Sequence, residues 1–481
     1  MEVKLRNIGI IKDSTIKLSG LTIVTGHNNS GKSTVGKAIY SLVAAVDNLQ
    51  DCNLEDKSSF ALQFLRKITN NFDFFRFYSR RQNLEQNQEK TKISEIMYSN
   101  KIEFLSIKEL LEYVNDFSLE IQNLSEDFFM QFLDREEKFL SSRIMKEHIS
   151  EIITKKPDIL ESIKILIKDL ESDQNLTKYA NARIERTLKR AFSGQIQPVK
   201  ISNPSSLLKV SKGKKILYEV SISENKVNDK ESYFSPAFFS AILIDDVHIL
   251  DSLSSNYELF NRQNSRTRHF TGARQLDFAE HISCQSSAYC LLEKLSKPRT
   301  NIFEDIVNAE KAKQVVSLIK SSFSDEISYK DGKLMAGENL DLKNLATGSK
   351  LFAILKMLLE KGHLDSGAVL ILDEPEAHLH PEWQNTLAEI VVLLQKQLGL
   401  TILLTTHSPN FLLALQTMCK KHEIYHATSV YSAEKLSDNY LVKLEDITNN
   451  VEVAFSKLVR PYLLMEETLY ALEEGAEDKG E

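Results

Sequence analysis

The first forty residues alternate apolar and polar positions. Val3-Lys4-Leu5-Arg6 and Thr15-Ile16-Lys17-Leu18 predict short half-buried strands. Leu21-Thr22-Ile23-Val24 is a tighter apolar run suited to a buried strand, and it leads through Gly26 into a helical stretch, Thr34 to Val46. From about 51 to 200 the period changes. Leu105, Leu110, Leu111 and Val114, and later Ile159, Ile163, Leu166 and Leu170, recur at three- and four-residue spacing, which predicts amphipathic helices. No heptad is sustained there and Pro157 interrupts, so the expectation is a bundle of several helices. Strands return near 205. Leu207 to Val210, a turn at Ser211–Lys214, and Ile216 to Ile222 predict a hairpin; Ala241 to Ile244 predicts a buried strand ending in Asp245-Asp246. Residues 250 to 320 read as mostly helical, with a second hairpin centred on Lys330-Asp331-Gly332-Lys333. Between 345 and 426 a helix (Leu351 to Leu359), a strand (Ala368 to Leu372), a helix (Glu382 to Gln397) and a strand (Thr401 to Leu404) alternate. That order predicts a parallel sheet. After 452 a helix carries an apolar stripe (Val453, Leu458, Leu463, Leu464, Leu469) and turns acidic, with seven carboxylates from Glu466 onward against Lys479.

Composition narrows the class. The chain has 481 residues, 42% apolar and 26% charged, which excludes a wholly disordered, collagen-like or membrane-spanning chain. The N-terminus has no basic segment followed by an apolar one, and no apolar run approaches the roughly 20 residues of a spanning helix. Cys52, Cys284, Cys290 and Cys419 are scattered and fit neither a disulfide framework nor a zinc site. A cytoplasmic, multi-lobed protein with no membrane partner is expected. The net charge of −7 argues against wholesale coating by nucleic acid and leaves room for a local basic patch.

Candidate chemistry sits at three strand ends. Gly26-His27-Asn28-Asn29-Ser30-Gly31-Lys32-Ser33 matches G-x-x-x-x-G-K-[ST]. In that pattern glycines let backbone N–H groups wrap phosphates, Lys32 reaches the outer phosphates, and Ser33 offers a hydroxyl to Mg2+. The helix that begins at about Thr34 points its positive end at the anion. Ala368-Val369-Leu370-Ile371-Leu372-Asp373-Glu374-Pro375 is an apolar strand ending in two acids. Beside a phosphate loop, Asp373 becomes the metal-side acid and Glu374 the candidate general base. Ile402-Leu403-Leu404-Thr405-Thr406-His407 is a further strand that ends in a histidine placed to reach a γ-phosphate. Leu345-Ala346-Thr347-Gly348-Ser349-Lys350 precedes a helix.

With these four elements the chain resembles the ABC-type ATPases of the SMC and RecF group. It is most similar to the stand-alone bacterial ATPases of anti-phage defence. The run Glu374-Pro375-Glu376-Ala377-His378-Leu379-His380-Pro381-Glu382-Trp383-Gln384 resembles the overcoming-lysogenization (OLD)-like and RecF-like branch. The resemblance implies an α/β fold: a P-loop ATPase head with a mixed sheet and flanking helices, carrying a large helical insertion. The head would comprise 1–50, 201–249 and 326–450; the insertion 51–200, a helical lobe 250–325, and a C-terminal helix with acidic tail 451–481. It implies ATP and Mg2+ as ligands. Gly26 to Ser33 with Thr34 would form the nucleotide cradle, Ser33 and Asp373 the metal side, and Lys32, Glu374 and His407 the catalytic set. Ala346, Thr347, Gly348 and Ser349 would be a signature motif that contacts the nucleotide of another subunit, so a complete site implies a head-to-tail dimer or a larger assembly. Two departures stand out. The usual signature serine is Ala346, which bears on turnover more than on binding. No glutamine loop is recognisable, and the end of the Ala241–Asp246 strand is its candidate position.

Basic clusters suggest further partners. Arg183, Arg186, Lys189 and Arg190 share one helical face, and Arg262, Arg266, Arg268, His269 and Arg274 crowd another segment; both are candidates for nucleic acid. Phe74-Phe75-Arg76-Phe77-Tyr78-Ser79-Arg80-Arg81 mixes rings and cations as stacking platforms do. Three readings of function follow. The chain is a regulatory ATPase that controls an effector in trans, or a RecF/OLD-like clamp on DNA, or an ATP-locked scaffold with negligible hydrolysis. The first resembles the ATPase subunit of Septu systems, whose partner is an HNH nuclease, and next the ATPase of PARIS systems, whose partner is a Toprim protein.

Overall fold

Leu21–Thr25 is buried along its whole length. A strand covered on both faces reads in this way, as an unbroken apolar run rather than an alternation. The computed structural model describes residues 1–47, 49–69, 92, 95–96, 102, 104–124, 143–171, 176–202, 204–234, 240–253, 287–297, 312–330, 333–338, 340–436 and 440–477. In chain order the elements are β1 (Glu2–Ile8), β2 (Ile11–Lys17), β3 (Leu21–Thr25), α1 (Lys32–Val46), α2 (Leu49–Thr69), α3 (Ile107–Asn123), α4 (Arg143–Glu171), α5 (Leu176–Ala191), β4 (Ser206–Lys212), β5 (Lys215–Ser223), β6 (Lys226–Val227), β7 (Tyr233–Phe234) and β8 (Ser240–Ile244). They continue with α6 (Ser287–Ser296), α7 (Lys313–Ser322), β9 (Ile327–Lys330), β10 (Lys333–Ala336), β11 (Leu340–Asp341), α8 (Thr347–Glu360), β12 (Ala368–Asp373), α9 (Pro381–Leu398), β13 (Thr401–Thr406), α10 (Pro409–Lys421), β14 (Thr428–Lys435), β15 (Val442–Asp446) and α11 (Glu452–Glu477).

The chain divides into two compact units, one of Met1–Asp47 with the described residues from Ala180 onward, the other within Asn48–Tyr179. The first is a mixed α/β unit. Its twelve-stranded sheet runs β6-β5-β4-β1-β2-β15-β14-β3-β13-β12-β8, with β7 pairing β5. Strands β14, β3, β13, β12 and β8 are mutually parallel, and β1, β2, β4 and β5 pair antiparallel. β3, β12 and β8 are nearly unbroken apolar runs; β2 alternates, as a strand with one open face does. Leu372, Leu404, Phe352, Leu387, Val391 and Phe411 belong to one continuous core shared by β12, β13, α8, α9 and α10. Both predicted hairpins form. β4 pairs β5 across Gly213, and β9 pairs β10 with Lys330 opposite Lys333. β2 starts at Ile11, earlier than the predicted Thr15.

The second unit is helical. α3 starts at Ser106, whose hydroxyl accepts from Glu109 N–H at 3.2 Å while Glu109 Oε2 accepts from Leu105 N–H at 2.7 Å, a reciprocal cap. Leu110, Val114, Phe117 and Ile121 form its buried stripe. Two polar contacts are buried here: Tyr179 donates to Asp56 Oδ2 at 2.6 Å, and Lys57 Nζ to the Leu170 carbonyl at 3.0 Å.

The structure corrects the sequence reading in two places. Pro157 does not end a helix; α4 continues through it. Ile152, Ile159, Ile163, Leu166 and Leu170 are all buried at helical spacing, and that apolar face outweighs the roughly 3 kcal/mol a mid-helix proline costs. The unit boundary also falls at Tyr179/Ala180 and not near 200. Most of α5 belongs with the first unit, where Ile184 and Leu188 are buried and Arg183 Nε donates to the Ala45 carbonyl at 2.8 Å.

Candidate active site

In the order β3-β13-β12-β8 all four strands run parallel, so their C-terminal ends lie along one edge of the sheet. Ligands of open α/β sheets collect at this edge. β3 delivers the phosphate loop, β13 delivers Thr405-Thr406-His407, β12 delivers Asp373-Glu374, and β8 delivers Asp245-Asp246. The register sets Thr405 between Val24 and Asp373, and Thr406 beside Thr25.

The loop from Gly26 to Gly31 needs its last glycine. Gly31 has φ +80°, and a Cβ there would stand 3.0 Å from Ile10 Cγ1. Asn29 is also left-handed, at φ 58°, a conformation asparagine tolerates. His27, Asn28 and Asn29 are exposed, whereas Ser30 and Lys32 are buried. The side chain of Lys32 is 3% exposed. Its ammonium donates to the carbonyls of Gly26 (3.0 Å) and His27 (2.9 Å) and lies 3.1 Å from Glu374 Oε1. Ser33 Oγ donates to Asp373 Oδ1 at 3.1 Å. Thr34 follows in the first turn of α1.

Thr405 holds the two acids of β12 together. Its hydroxyl donates to Asp373 Oδ1 at 2.6 Å and accepts from Glu374 N–H at 2.9 Å. Glu374 itself has φ 48°, a left-handed conformation, directly before Pro375, where extended backbone is the norm. Such strain costs of order 1–3 kcal/mol and persists where neighbours over-determine the backbone. Here the Thr405 bond and the Lys32 contact do so. His407 Nδ1 stands 3.2 Å from Glu374 Oε2, off the line of a hydrogen bond, and the two form an ion pair when the imidazole is protonated.

One residue of this cluster escaped the sequence reading. Glu376 is 2% exposed; its Oε1 accepts from Thr406 Oγ1 at 2.5 Å and from His407 N–H at 3.2 Å. It thereby clamps the end of β13 to the turn after β12. Burial raises its pKa, against the hydrogen bond from Thr406 and the nearby His407. Its Oε2 has no partner among the described residues. The signal was a third acid in Asp-Glu-Pro-Glu facing two threonines at the next strand end.

A cleft of about 210 Å3 opens beside these groups, lined by Ser33, Asp245, Asp373, Glu374, Thr347 and Gly348 among others. Asp245, at the end of β8, lines this cleft. Burial raises its pKa, opposed by its backbone hydrogen bond and Lys37 and reinforced by Asp373 and Asp246. Thr347 and Gly348, at the start of α8, border the same cleft as Ser33 within one chain. Ala346 is exposed, Thr347 and Ser349 are half-buried, and Gly348 is packed so that a Cβ would lie 3.2 Å from the His378 carbonyl. Lys350 turns inward to Asp251 Oδ1 at 2.7 Å.

The basic face of α5 is not open as the spacing suggested. Arg183 is spent on Ala45, Lys189 pairs with Glu185 Oε1 at 2.6 Å, Arg186 is half-buried, and Arg190 is exposed. The reason is that helical spacing fixes a face but not what packs on it. Arg262, Arg266, Arg268, His269 and Arg274, and the Phe74–Arg81 stretch, lie outside the described residues.

The donor set fits a nucleotide with Mg2+. Ser30 Oγ is buried in the loop without a partner among the described residues, and one hydroxyl plus one carboxylate, Ser33 and Asp373, meet side by side. That is the sparse oxygen set Mg2+ takes when phosphates and waters complete its shell. Among the described residues no group of three or more His, Cys, Asp or Glu side chains could hold a metal on its own.

No curated protein matches the chain. Solved structures that resemble it include the SMC head domain from Thermotoga maritima (11% identity, 92% of this chain and 97% of that one, TM-score 0.33). An SMC head bound to the C-terminal winged-helix domain of ScpA is similar at 10% identity, covering 94% and 98%, TM-score 0.38. An SMC head with coiled coil and joint from Pyrococcus yayanosii follows at 11%, covering 96% and 99%, TM-score 0.34. A sequence profile of the AAA ATPase domain matches residues 1–412, which take in the phosphate loop, both acids of β12 and His407, and the chain belongs to that family.

Proposed function

We propose that the chain binds and hydrolyses ATP with Mg2+ and that its nucleotide state gates a separate nuclease effector in a bacterial anti-phage complex. One observation carries the chemistry. Lys32 and Ser33, Asp373 and Glu374, and His407 come from three distant segments, yet they meet through contacts of 3.1–3.2 Å.

Gly26 to Thr34 cradle the phosphates with backbone N–H groups, and Lys32 offers its ammonium to their oxygens. Ser33 and Asp373 hold Mg2+, which supplies charge neutralisation on the phosphates when bound. Glu374 accepts the proton of the attacking water, and ATP and water become ADP and phosphate. Asp373 and Glu374 are kept in register by Thr405, and His407 by Glu376. His407, beside Glu374, is placed to carry charge that develops on the transferred phosphoryl group.

Ala346, Thr347, Gly348 and Ser349 complete the site of a second copy in a head-to-tail dimer, as the resemblance to ABC-type heads suggests. A mixing experiment tests this. Lys32→Ala and Ala346→Arg chains are each expected to be inactive alone, and Ala346 is exposed outside the chain's own cleft. Mixed one to one, half of the dimers hold one intact site of two, so about a quarter of the wild-type rate returns. No recovery on mixing contradicts the composite site.

The run Glu374 to Gln384 supports the defence role, with an HNH nuclease as the favoured effector and a Toprim protein next. Cells carrying this chain and its neighbouring gene, challenged with a phage panel, should lose protection on Lys32→Ala; protection that survives that change overturns the role. The DNA clamp has less support, since Arg183 and Lys189 are already engaged. The scaffold reading is favoured by one observation, the exposed Ala346 in place of a hydroxyl. Ala346→Ser should then raise turnover severalfold, by about one net hydrogen bond of ~0.5–1.5 kcal/mol.

A further inference from the structure

Helix α11 is buried only near its start. Its first third is seated, with Ala454 and Leu458 in the core and Lys457 Nζ 2.6 Å from Glu434 Oε1. From Arg460 to Leu472 every residue is exposed. That stretch is not polar. Tyr462, Leu463, Leu464, Met465, Leu469, Tyr470 and Leu472 all stand in solvent, Met465 at 74% and Leu472 at 67%. Exposed apolar surface of this extent marks an interaction site in a folded protein.

The pattern within it is specific. Leu458, Tyr462, Met465, Leu469 and Leu472 follow one another at spacings of four, three, four and three. Extended inward, the same register takes in Phe455 and the buried Val451. This is an a/d pattern of a coiled coil; the sequence alone shows a stripe of Val453, Leu458, Leu463, Leu464 and Leu469 that packs on its own domain or docks a partner subunit. It starts in the core of the unit and continues in register past Pro461 into solvent. Helical stability in proteins comes mostly from packing of an apolar face, so a seam of this kind is stabilised by a second helix.

Charge selects the occupant. With Tyr462 and Leu469 at a, Glu466 and Glu473 fall at e, and Glu467 and Glu474 beside them. Between Arg460 and Lys479 there is no cation. A second copy laid antiparallel sets Glu466 against Glu473; laid parallel, it leaves every e-position acid unpaired. Like charges at these positions oppose self-pairing, and flanking lysines or arginines answer them.

We infer that α11 beyond Leu458 is a docking helix for a basic amphipathic helix of a partner protein. This reading is independent of the nucleotide chemistry, and its failure would leave that chemistry untouched.

The test uses the full chain and a synthetic probe: a fluorescein-labelled three-heptad peptide with Leu at a and d and Lys at e and g. Fluorescence anisotropy should show binding that weakens at least tenfold in Met465→Glu/Leu469→Glu and in high salt. The same peptide with Glu at e and g should bind at least tenfold more weakly. Both positions are exposed, so an unchanged melting temperature identifies the variant as folded, and the peptide swap needs no variant at all. Equal binding of the two peptides, or no binding of the lysine peptide, overturns the inference. So does a wild-type sedimentation coefficient that falls to a smaller species in the double variant, since the seam would then be filled by a second copy.

Discussion

The ammonium of Lys32 lies 3.1 Å from Glu374 Oε1, joining the start of α1 to the residue after β12. Sequence separates the pair by most of the chain. The parallel order β3-β13-β12 brings them to one edge. Glu374 thus faces a cation on one side and His407 on the other, in a left-handed backbone conformation at φ 48°.

Lys32→Ala removes the buried cation proposed to meet the phosphates. A hydrogen bond to a charged group contributes roughly 1.5–3 kcal/mol, so ATP affinity should fall by about 10- to 100-fold. Fluorescent ATP-analogue titration reads this. Unchanged affinity would remove the phosphate loop from the site.

Thr405→Val keeps the volume and deletes the hydroxyl that bridges Asp373 and Glu374. The half-buried Glu374 N–H then loses its partner beside the fully buried Thr405. The expected cost is about 1–3 kcal/mol, seen as a lower melting temperature and a turnover reduced about tenfold or more, with ATP affinity nearly kept. A loss confined to affinity would show that Thr405 serves binding and not the acids.

Much of this arrangement is legible in sequence, for a physical reason. Leu21–Val24, Ala368–Leu372 and Thr401–Leu404 are buried on both faces, and the residues that end them are chemically distinct. What stayed hidden depends on tertiary partners. Glu376 reads as one acid among several until Thr406 is placed opposite. Arg183 reads as part of an open face until the Ala45 carbonyl is seen beneath it. Pro157 reads as an ending because local propensity says so, and burial of five flanking apolar side chains overrides it.

Glu376 supplies a pH signature. Its carboxyl is raised by burial, so the folded state binds that proton more tightly than the unfolded chain does. The associated stability is full below the ordinary glutamate value of about 4.3 and is lost as pH rises through the raised one. Glu376→Gln keeps an acceptor for Thr406 and His407 and removes the titration. Melting temperatures measured from pH 5 to 8 should show the variant gaining on wild type as pH rises. Parallel curves would mean that the carboxyl carries no such penalty.

Metal dependence should track Ser33 and Asp373. Chelation of Mg2+ is expected to abolish turnover, and Ser33→Ala to shift the Mg2+ concentration for half-maximal rate upward by about tenfold, one hydrogen-bonded oxygen at a charged centre. Titration of Mg2+ against phosphate release measures it; an unshifted midpoint would exclude Ser33 from the metal side.

The most direct measurement is phosphate release from ATP by the purified full chain beside Glu374→Gln. The account predicts Mg2+-dependent release by the wild type. In the variant the rate falls by about a hundredfold or more, while ATP binding is retained. A variant as fast as wild type, or a wild type no faster than buffer, would contradict it.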